Sequence, residues 1–171
     1  MLAKKITYSA LYIALGIMLP LAFHLFGLGP SFLPMHIPVL LSGFHLGPAA
    51  GLMCGLITPV LSHLAIGMPP LSPPMLPLMM VELPVYGFTG GLLYKTYGMN
   101  IWISLIVSMV LGRLGAGLTG WLLSGLFHLA IPPQAYFLGS IIIGLPGIVL
   151  QLLLVPVFVR LLKGRGRSVG H

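Results

Sequence analysis

Long apolar runs separated by clusters of Pro and Gly dominate the pattern of this chain. The runs at 101–112 and 139–159 contain few polar residues, whereas the strands of a membrane barrel alternate polar and apolar residues. A helix needs about 20 apolar residues to cross a membrane, and Pro and Gly clusters mark the connections between helices. The pattern therefore predicts an all-α integral membrane protein, a single domain over 1–171, with six transmembrane helices at about 6–28, 35–47, 49–67, 78–95, 101–127 and 136–162.

The composition agrees with a chain that lies in the bilayer. Its 171 residues include one acidic side chain, Glu82, against eight Lys and Arg, and only 5% of the residues are charged. A soluble domain carries charge on roughly a quarter of its residues. The run 6–28 is long for the apolar core of a signal peptide and has no small-residue cleavage site, so we expect a retained first helix. Because the sequence has neither a GxxxxGK[ST] stretch nor an acidic cluster for magnesium, we expect no ATP hydrolysis by this chain. We also expect no catalytic residue and no enzyme activity.

The basic residues predict which side of the membrane each end faces. Lys4 and Lys5 precede the first helix, Lys95 follows the fourth, and four more basic residues lie in 160–167. Six helices place all of them on one side, which the positive-inside rule makes the cytoplasm. We therefore expect a multi-pass protein of a prokaryotic cytoplasmic (inner) membrane with both termini cytoplasmic. The basic residues form no patch that could hold nucleic acid.

The three connections on the opposite side are uncharged and rich in Pro, at 29–34, 67–77 and 129–135. Five prolines in 67–77 remove five backbone donors, so we expect this segment to stay outside the helices. We interpret the three connections as the rim and lid of an outward-facing pocket. The alternative is that these prolines only terminate helices.

Small residues on the first helix indicate a face where another helix packs. Ala10 and Ala14 lie one turn apart on one face, a spacing that lets helices approach closely. Glycines in 43–55 repeat the spacing, and for them packing within the chain is the alternative role. Together with the length, the six helices and the stretches 35–71 and 82–94, this pattern resembles the substrate-binding S component of energy-coupling factor (ECF) vitamin transporters.

The resemblance implies the function of the chain. It implies a subunit of an ECF-type ABC importer that captures a vitamin or cofactor precursor at an outward-facing site for ATP-driven uptake. It implies docking through Ala10 and Ala14 onto a transmembrane T component, which is joined to two cytoplasmic ATPases. It also implies a vitamin-like substrate near the outer loops, between helices 1, 3, 4, 5 and 6, and no covalently bound cofactor. Pantothenate, a pyridoxine-type compound, cobalamin and a ribazole-type precursor all stay open as substrates.

Two opposite charges are expected at the same depth of the membrane. Glu82 lies 13 residues before Lys95, and Arg113 lies 13 residues after Asn100. Both are then about 20 Å from the cytoplasmic side, where each charge costs about 2.5–3.5 kcal/mol. Equal depth permits an ion pair between the fourth and fifth helices. Either the pair contacts the ligand or it fixes the packing of the two helices, and the two roles are compatible.

Further residues near the expected outer pocket are candidates for ligand binding. The histidines are alternatively hydrogen-bonded packing residues, the methionines adaptable packing, and the aromatic residues anchors at the membrane surface. Tyr86 shares a helical face with Glu82, one turn away. The complete set of candidate substrate-binding residues is His36, His63, Met68, Leu71, Glu82, Tyr86, Arg113, Trp121, His128 and Tyr136.

Other classes of function have weaker support. The string Met35-His36-Ile37-Pro38 is similar to the mature N-terminus of cobalt and nickel S components, but here it is internal, so we expect no metal site. An intramembrane enzyme is disfavoured because Ser62 and His63 are adjacent and point apart on a helix. A free-standing transporter or channel is the third alternative. If the outer loops bind nothing, a cytoplasmic cleft beside Lys95 becomes the next candidate site.

Overall fold

A computed structural model describes residues 2–25, 27, 34–71, 74–127 and 133–167. Over this part of the chain the fold is all-helical, without a strand, as the sequence predicts. The described residues form six successive α-helices, and the fourth ends in a short π-helical turn. They are α1 Leu2–Leu25, α2 His36–Leu46, α3 Pro48–Ile66, α4 Met75–Gly91 with the π turn Leu92–Thr96, α5 Ile101–Phe127 and α6 Pro133–Arg167.

Five helices of the described residues are long and apolar enough to cross a membrane. They contain the spans Leu2–Leu25, Pro48–Ile66, Met75–Thr96, Ile101–Leu126 and Gly144–Lys163. The helix predicted at 35–47 is different, because α2 has only 11 residues and reaches about half-way through the bilayer core. Nine of its residues are buried, and it packs against α1, α3, α4 and α6. The helix is therefore an internal element of the bundle.

Glycine joins α2 to α3 without a connecting loop. Gly47 has φ 107°, a conformation that residues with a Cβ rarely adopt. Its N–H donates to the carbonyl of Gly43 at 2.9 Å, and its own carbonyl accepts from Gly51 at 3.1 Å. Pro48 follows at the first position of α3, where its missing N–H costs no helical bond.

Three further glycines bring α2, α3 and α4 into backbone contact. A Cβ on Gly43 or Gly51 would collide with the carbonyl of Gly87, and a Cβ on Gly87 would collide with the backbone of Gly51. The small residues of 43–55 thus serve packing within the chain, as expected from their spacing. Because the contact leaves no room for rearrangement, it fixes the position of α2 relative to α4.

The Pro-rich connection between α3 and α4 is shorter than the sequence predicts. Helix α3 ends at Ile66, and Gly67 caps it in the left-handed region with φ 72°. Helix α4 already begins at Met75, so the expectation that 67–77 lies wholly outside the helices is wrong at its end. Pro77 falls in the first turn of α4, where a helix tolerates Pro because the first N–H groups have no helical partner.

The C-terminal ends of α2 and α4 lie together at one end of the bundle. We call this region the basic end and define it by His45, Lys95 and Lys163. Lys95, in the π turn, donates from Nζ to the carbonyl of His45 at 2.8 Å. The His45 ring hydrogen-bonds through Nδ1 to the hydroxyl of Tyr12 on α1 at 2.9 Å. Lys163 of α6 lines the same cavity as Lys95. The fold thus gathers Lys95 and Lys163 on one side, as expected from the sequence.

Candidate functional site

Glu82, the single acidic side chain, is the centre of a buried polar cluster on α4. Only 4% of the residue is exposed, and three side chains converge on its Oε1 atom. The Tyr86 hydroxyl donates to Oε1 at 3.0 Å, Arg113 Nη1 lies 3.2 Å away, and His36 Nε2 lies 3.5 Å away. We call these four residues the Glu82 cluster. The ion pair expected from equal depth is therefore confirmed.

The geometry of α4 and α5 explains why Tyr86 and Arg113 reach the same carboxylate. Tyr86 is one turn beyond Glu82 and shares its face. Its ring lies against α5 at Gly112, where a Cβ would collide with the ring. The absent side chain at Gly112 lets the two helices approach closely, so that the next residue of α5, Arg113, reaches across to Glu82.

His36 enters the cluster from the first turn of α2. Its side chain is fully buried, and its ring meets that of Tyr86 edge-on, with 5.2 Å between centroids and 60° between planes. The 3.5 Å from Nε2 to Glu82 is longer than an ordinary hydrogen bond of about 2.7–3.2 Å. Neither ring nitrogen has a hydrogen-bond partner among the described residues. His36 therefore brings two unused polar atoms to the cluster.

Arg113 uses only part of its guanidinium group. Nη1 faces Glu82, whereas Nε and Nη2 are buried and have no hydrogen-bond partner within the described residues. The N–H bonds of Nε and Nη2 lie side by side on one edge of the planar group, which matches the two oxygens of a carboxylate or phosphate. A buried donor without a partner costs about 1–3 kcal/mol. Nε and Nη2 can therefore donate hydrogen bonds to two oxygen atoms of another molecule.

His63 occupies a different place from the Glu82 cluster. Its Nδ1–H donates to the carbonyl of Pro69 at 2.8 Å, since a carbonyl can only accept. His63 thus attaches the Pro-rich connection to α3. On that connection Met68 is half-buried, and Leu71 is 60% exposed. These three candidates form a second group at the start of the connection.

The structure describes the side chain of one of the three remaining candidates, Trp121. Trp121 on α5 is 62% exposed, a position that also suits an anchor in the lipid. Tyr136 lies in α6, but its side chain is outside the described part of the structure, and His128 lies outside the described residues. In the described part of the chain, no three His, Cys, Asp or Glu residues are grouped so as to hold a metal ion.

The sequence analysis did not select Gln151, Thr58 or Ser62 as binding candidates, although all three are buried polar residues. Gln151 on α6 is fully buried, and neither end of its amide has a partner among the described residues. Thr58 and Ser62, one turn apart on α3, are also fully buried with unpartnered hydroxyls in this part of the chain. Gln151 had a signal, because it is the one polar side chain in the run 141–159 and an amide in a membrane helix is costly. Thr58 and Ser62 had none, since such hydroxyls usually bond to their own helix.

The first helix presents its alanines away from the bundle. Tyr12, Gly16 and Pro20 are the buried residues of α1, and Ala10 and Ala14 are both exposed. At 100° per residue, the alanines lie on the opposite face of the helix from these buried residues. The small-residue face is therefore not used for packing among the described helices.

Comparison with known families gives the identity of the chain at family level. The family described as "ECF transporter, substrate-specific component" matches residues 4–159, which contain the Glu82 cluster and the exposed alanines of α1. No curated protein and no solved structure matches the chain. A match over nearly the whole length, on a membrane-helical bundle with a polar centre, shows that this chain belongs to the family of substrate-specific components of ECF transporters.

Proposed function

We propose that this chain captures a vitamin or cofactor precursor from outside the cell and delivers it to the cytoplasm through ATP-driven uptake. ATP is hydrolysed by two separate ATPases, to which a transmembrane T component connects the chain. The family supports a substrate-binding transporter subunit. The observation that carries the proposal is the Nε and Nη2 edge of Arg113, which is buried in the Glu82 cluster and has no hydrogen-bond partner among the described residues.

The Glu82 cluster recognises the polar part of the substrate. Glu82 neutralises Arg113 and holds it through Nη1. The other edge of the guanidinium group, Nε and Nη2, donates hydrogen bonds to two acceptor atoms of the ligand. A carboxylate such as that of pantothenate offers two such acceptors in a plane. His36 supplies a further polar contact from α2, because neither of its ring nitrogens has a hydrogen-bond partner among the described residues. A bound acceptor removes the cost of these unpaired donors.

The connection between α3 and α4 closes over the site as a lid. Its prolines restrict the backbone, so that ordering the segment on binding costs little entropy. His63 holds the beginning of the lid through the carbonyl of Pro69. Met68 and Leu71 then supply apolar contacts to the ligand. In this arrangement the lid faces outward, and the basic end faces the cytoplasm.

Helix α1 docks the chain onto the T component. Ala10 and Ala14 lie on a face that no described helix covers. Small side chains allow close helix–helix approach in a membrane, where dispersion contacts and not the hydrophobic effect drive association. The docking face and the Glu82 cluster are on different helices, so that docking and ligand binding can be separated by mutation.

Mass spectrometry of small molecules released from the detergent-purified protein tests the proposal. We expect one vitamin-like compound from the wild type, none from Arg113→Gln, and the wild-type amount from Arg160→Gln, a matched change at an exposed arginine. In proteoliposomes, uptake of this compound should require the T component, both ATPases and ATP. Uptake by the chain alone would contradict the proposal and support a free-standing transporter.

A further inference from the structure

A cavity of about 470 Å³ lies at the basic end, far from the Glu82 cluster along α4. Its walls come from α2, from the π turn that follows α4, and from α6. The residues that matter for its chemistry are Phe44, His45, Tyr94, Lys95, Val159 and Lys163. The volume is within the range of about 300–1,000 Å³ that small-molecule sites occupy.

Among the described residues, no carboxylate is paired with the positive charge at this cavity. Lys95 and Lys163 approach it from two different elements, and both side chains are exposed. Lys95 gives one of its three N–H donors to the carbonyl of His45 at 2.8 Å. Glu82, the single acidic side chain of the sequence, lies 13 residues before Lys95, which is about 20 Å along the helix. No described residue therefore supplies a counter-charge to the two lysines, and an anionic group of another molecule fits the cavity.

The other walls of the cavity are aromatic and aliphatic. The rings of Phe44 and Tyr94 pack with 5.2 Å between centroids, and Val159 and Leu162 complete the α6 side. Beside them on α6, Leu161 is 62% exposed and faces the surroundings of the bundle. The cavity thus combines two ammonium groups with adjoining apolar surface. Both lysines lie at the ends of candidate membrane spans, Met75–Thr96 and Gly144–Lys163, and the end of a span is where a bilayer meets water. An anion with an attached hydrocarbon chain matches both the ammonium groups and the apolar surface, whereas a free inorganic anion matches the ammonium groups alone.

We propose that this cavity binds the phosphate group of an anionic phospholipid. The phosphate lies between Lys95 and Lys163, and the acyl chains extend along the exposed apolar side chains of α6. Basic pockets between membrane helices on the cytoplasmic side bind anionic headgroups in this way. The bound lipid links the π turn after α4 to α6 and so stabilises the basic end. This inference does not depend on which substrate the Glu82 cluster takes.

Native mass spectrometry of the detergent-solubilised protein tests the site with two lipids of equal chain length. We expect phosphatidylglycerol to remain bound under conditions that remove phosphatidylcholine. Lys163→Gln should weaken phosphatidylglycerol binding about fivefold, and Lys95→Gln with Lys163→Gln about 25-fold. The matched control Lys4→Gln with Lys5→Gln removes the same number of charges from α1 and should leave binding unchanged. Lys163→Gln is the primary variant, because Lys95→Gln also removes the bond to His45.

Three outcomes would overturn the proposal. Equal retention of the two lipids would show that the headgroup charge is not recognised. An equal loss of binding in the α1 control variant would show that only the overall charge of the protein matters. Displacement of phosphatidylglycerol by equimolar glycerol phosphate or inorganic phosphate would assign the cavity to a soluble phosphate. Circular dichroism of Lys163→Gln should show an unchanged helical signal, which separates loss of binding from loss of fold.

Discussion

Arg113 Nη1 lies 3.2 Å from Glu82 Oε1 and joins α5 to α4 inside the bundle. The two residues are 31 positions apart, and the contact forms because Gly112 lets α5 approach Tyr86 and the backbone of Glu82. The carboxylate satisfies only one of the three guanidinium nitrogens within the described residues. Nη1 of Arg113 therefore joins the two helices through Glu82, whereas Nε and Nη2 are available to a ligand.

Replacing either residue of the ion pair alone should lower the free energy of unfolding more than replacing both. Removing one partner of a buried pair leaves the other charge unpaired, at a cost of about 3–5 kcal/mol, whereas removing both is milder. We expect Glu82→Gln and Arg113→Leu each to lower the free energy of unfolding in detergent, and the double variant to recover much of the loss. Tyr86→Phe, which removes one hydrogen bond to the same oxygen, should cost about 1 kcal/mol. Additive losses in the double variant would mean that the two charges do not interact.

Bulk on the alanine face of α1 should block assembly without affecting the ligand site. We expect Ala14→Trp to abolish association with the T component and uptake, because a large side chain keeps the partner helix away. Ligand binding to the isolated chain should be unchanged. Leu15→Trp is the matched control, because Leu15 is also exposed but lies 100° further round the helix. A fully assembled and active Ala14→Trp transporter would exclude this face as the docking site.

Replacing the lid should weaken ligand binding while the helices remain folded. Because α4 begins at Met75, the replacement should cover residues 68–74 with a Gly/Ser linker. We expect the affinity to fall at least about tenfold, which is 1.4 kcal/mol, since the linker loses both the apolar contacts and the stiffness of the prolines. Isothermal titration measures the affinity, and limited proteolysis should show that ligand protects the native segment. Unchanged affinity would place the ligand elsewhere, with the cavity beside Lys95 as the next candidate.

The hydrogen bond from His63 to Pro69 should control how well the lid is held. We expect His63→Leu to weaken ligand binding and to make the connection more sensitive to protease, because the Nδ1–H donor is lost. In His63→Asn the side-chain amide can donate from nearly the same position, and much of the affinity should return. If the Leu and Asn variants bind ligand equally, the donor has no role in closing the lid.

The apolar runs and charged positions predicted several features that the structure contains. Every backbone N–H and C=O inside a bilayer must be satisfied within the protein, as helices and closed barrels do. Barrel strands alternate polar and apolar residues, so continuous apolar runs such as that within 101–127 are expected to be helices. Depth along a helix follows from 1.5 Å per residue, which is why Glu82 and Arg113 were expected at one level. The spacing of four likewise placed Tyr86 beside Glu82. These conclusions use only distances along the chain and the thickness of the membrane.

Tertiary packing decided which residues of similar depth meet. His36 and His63 were both expected near the outer half, yet α2 brings His36 to Glu82, while His63 binds the carbonyl of Pro69. Periodicity along one helix gives the direction of a side chain relative to its own axis, but not the rotation of that helix against its neighbours. In this bundle the rotation depends on backbone contacts such as Gly43 with Gly87. Those contacts join residues distant in sequence, and they also enclose α2 within the bundle, where 11 residues suffice.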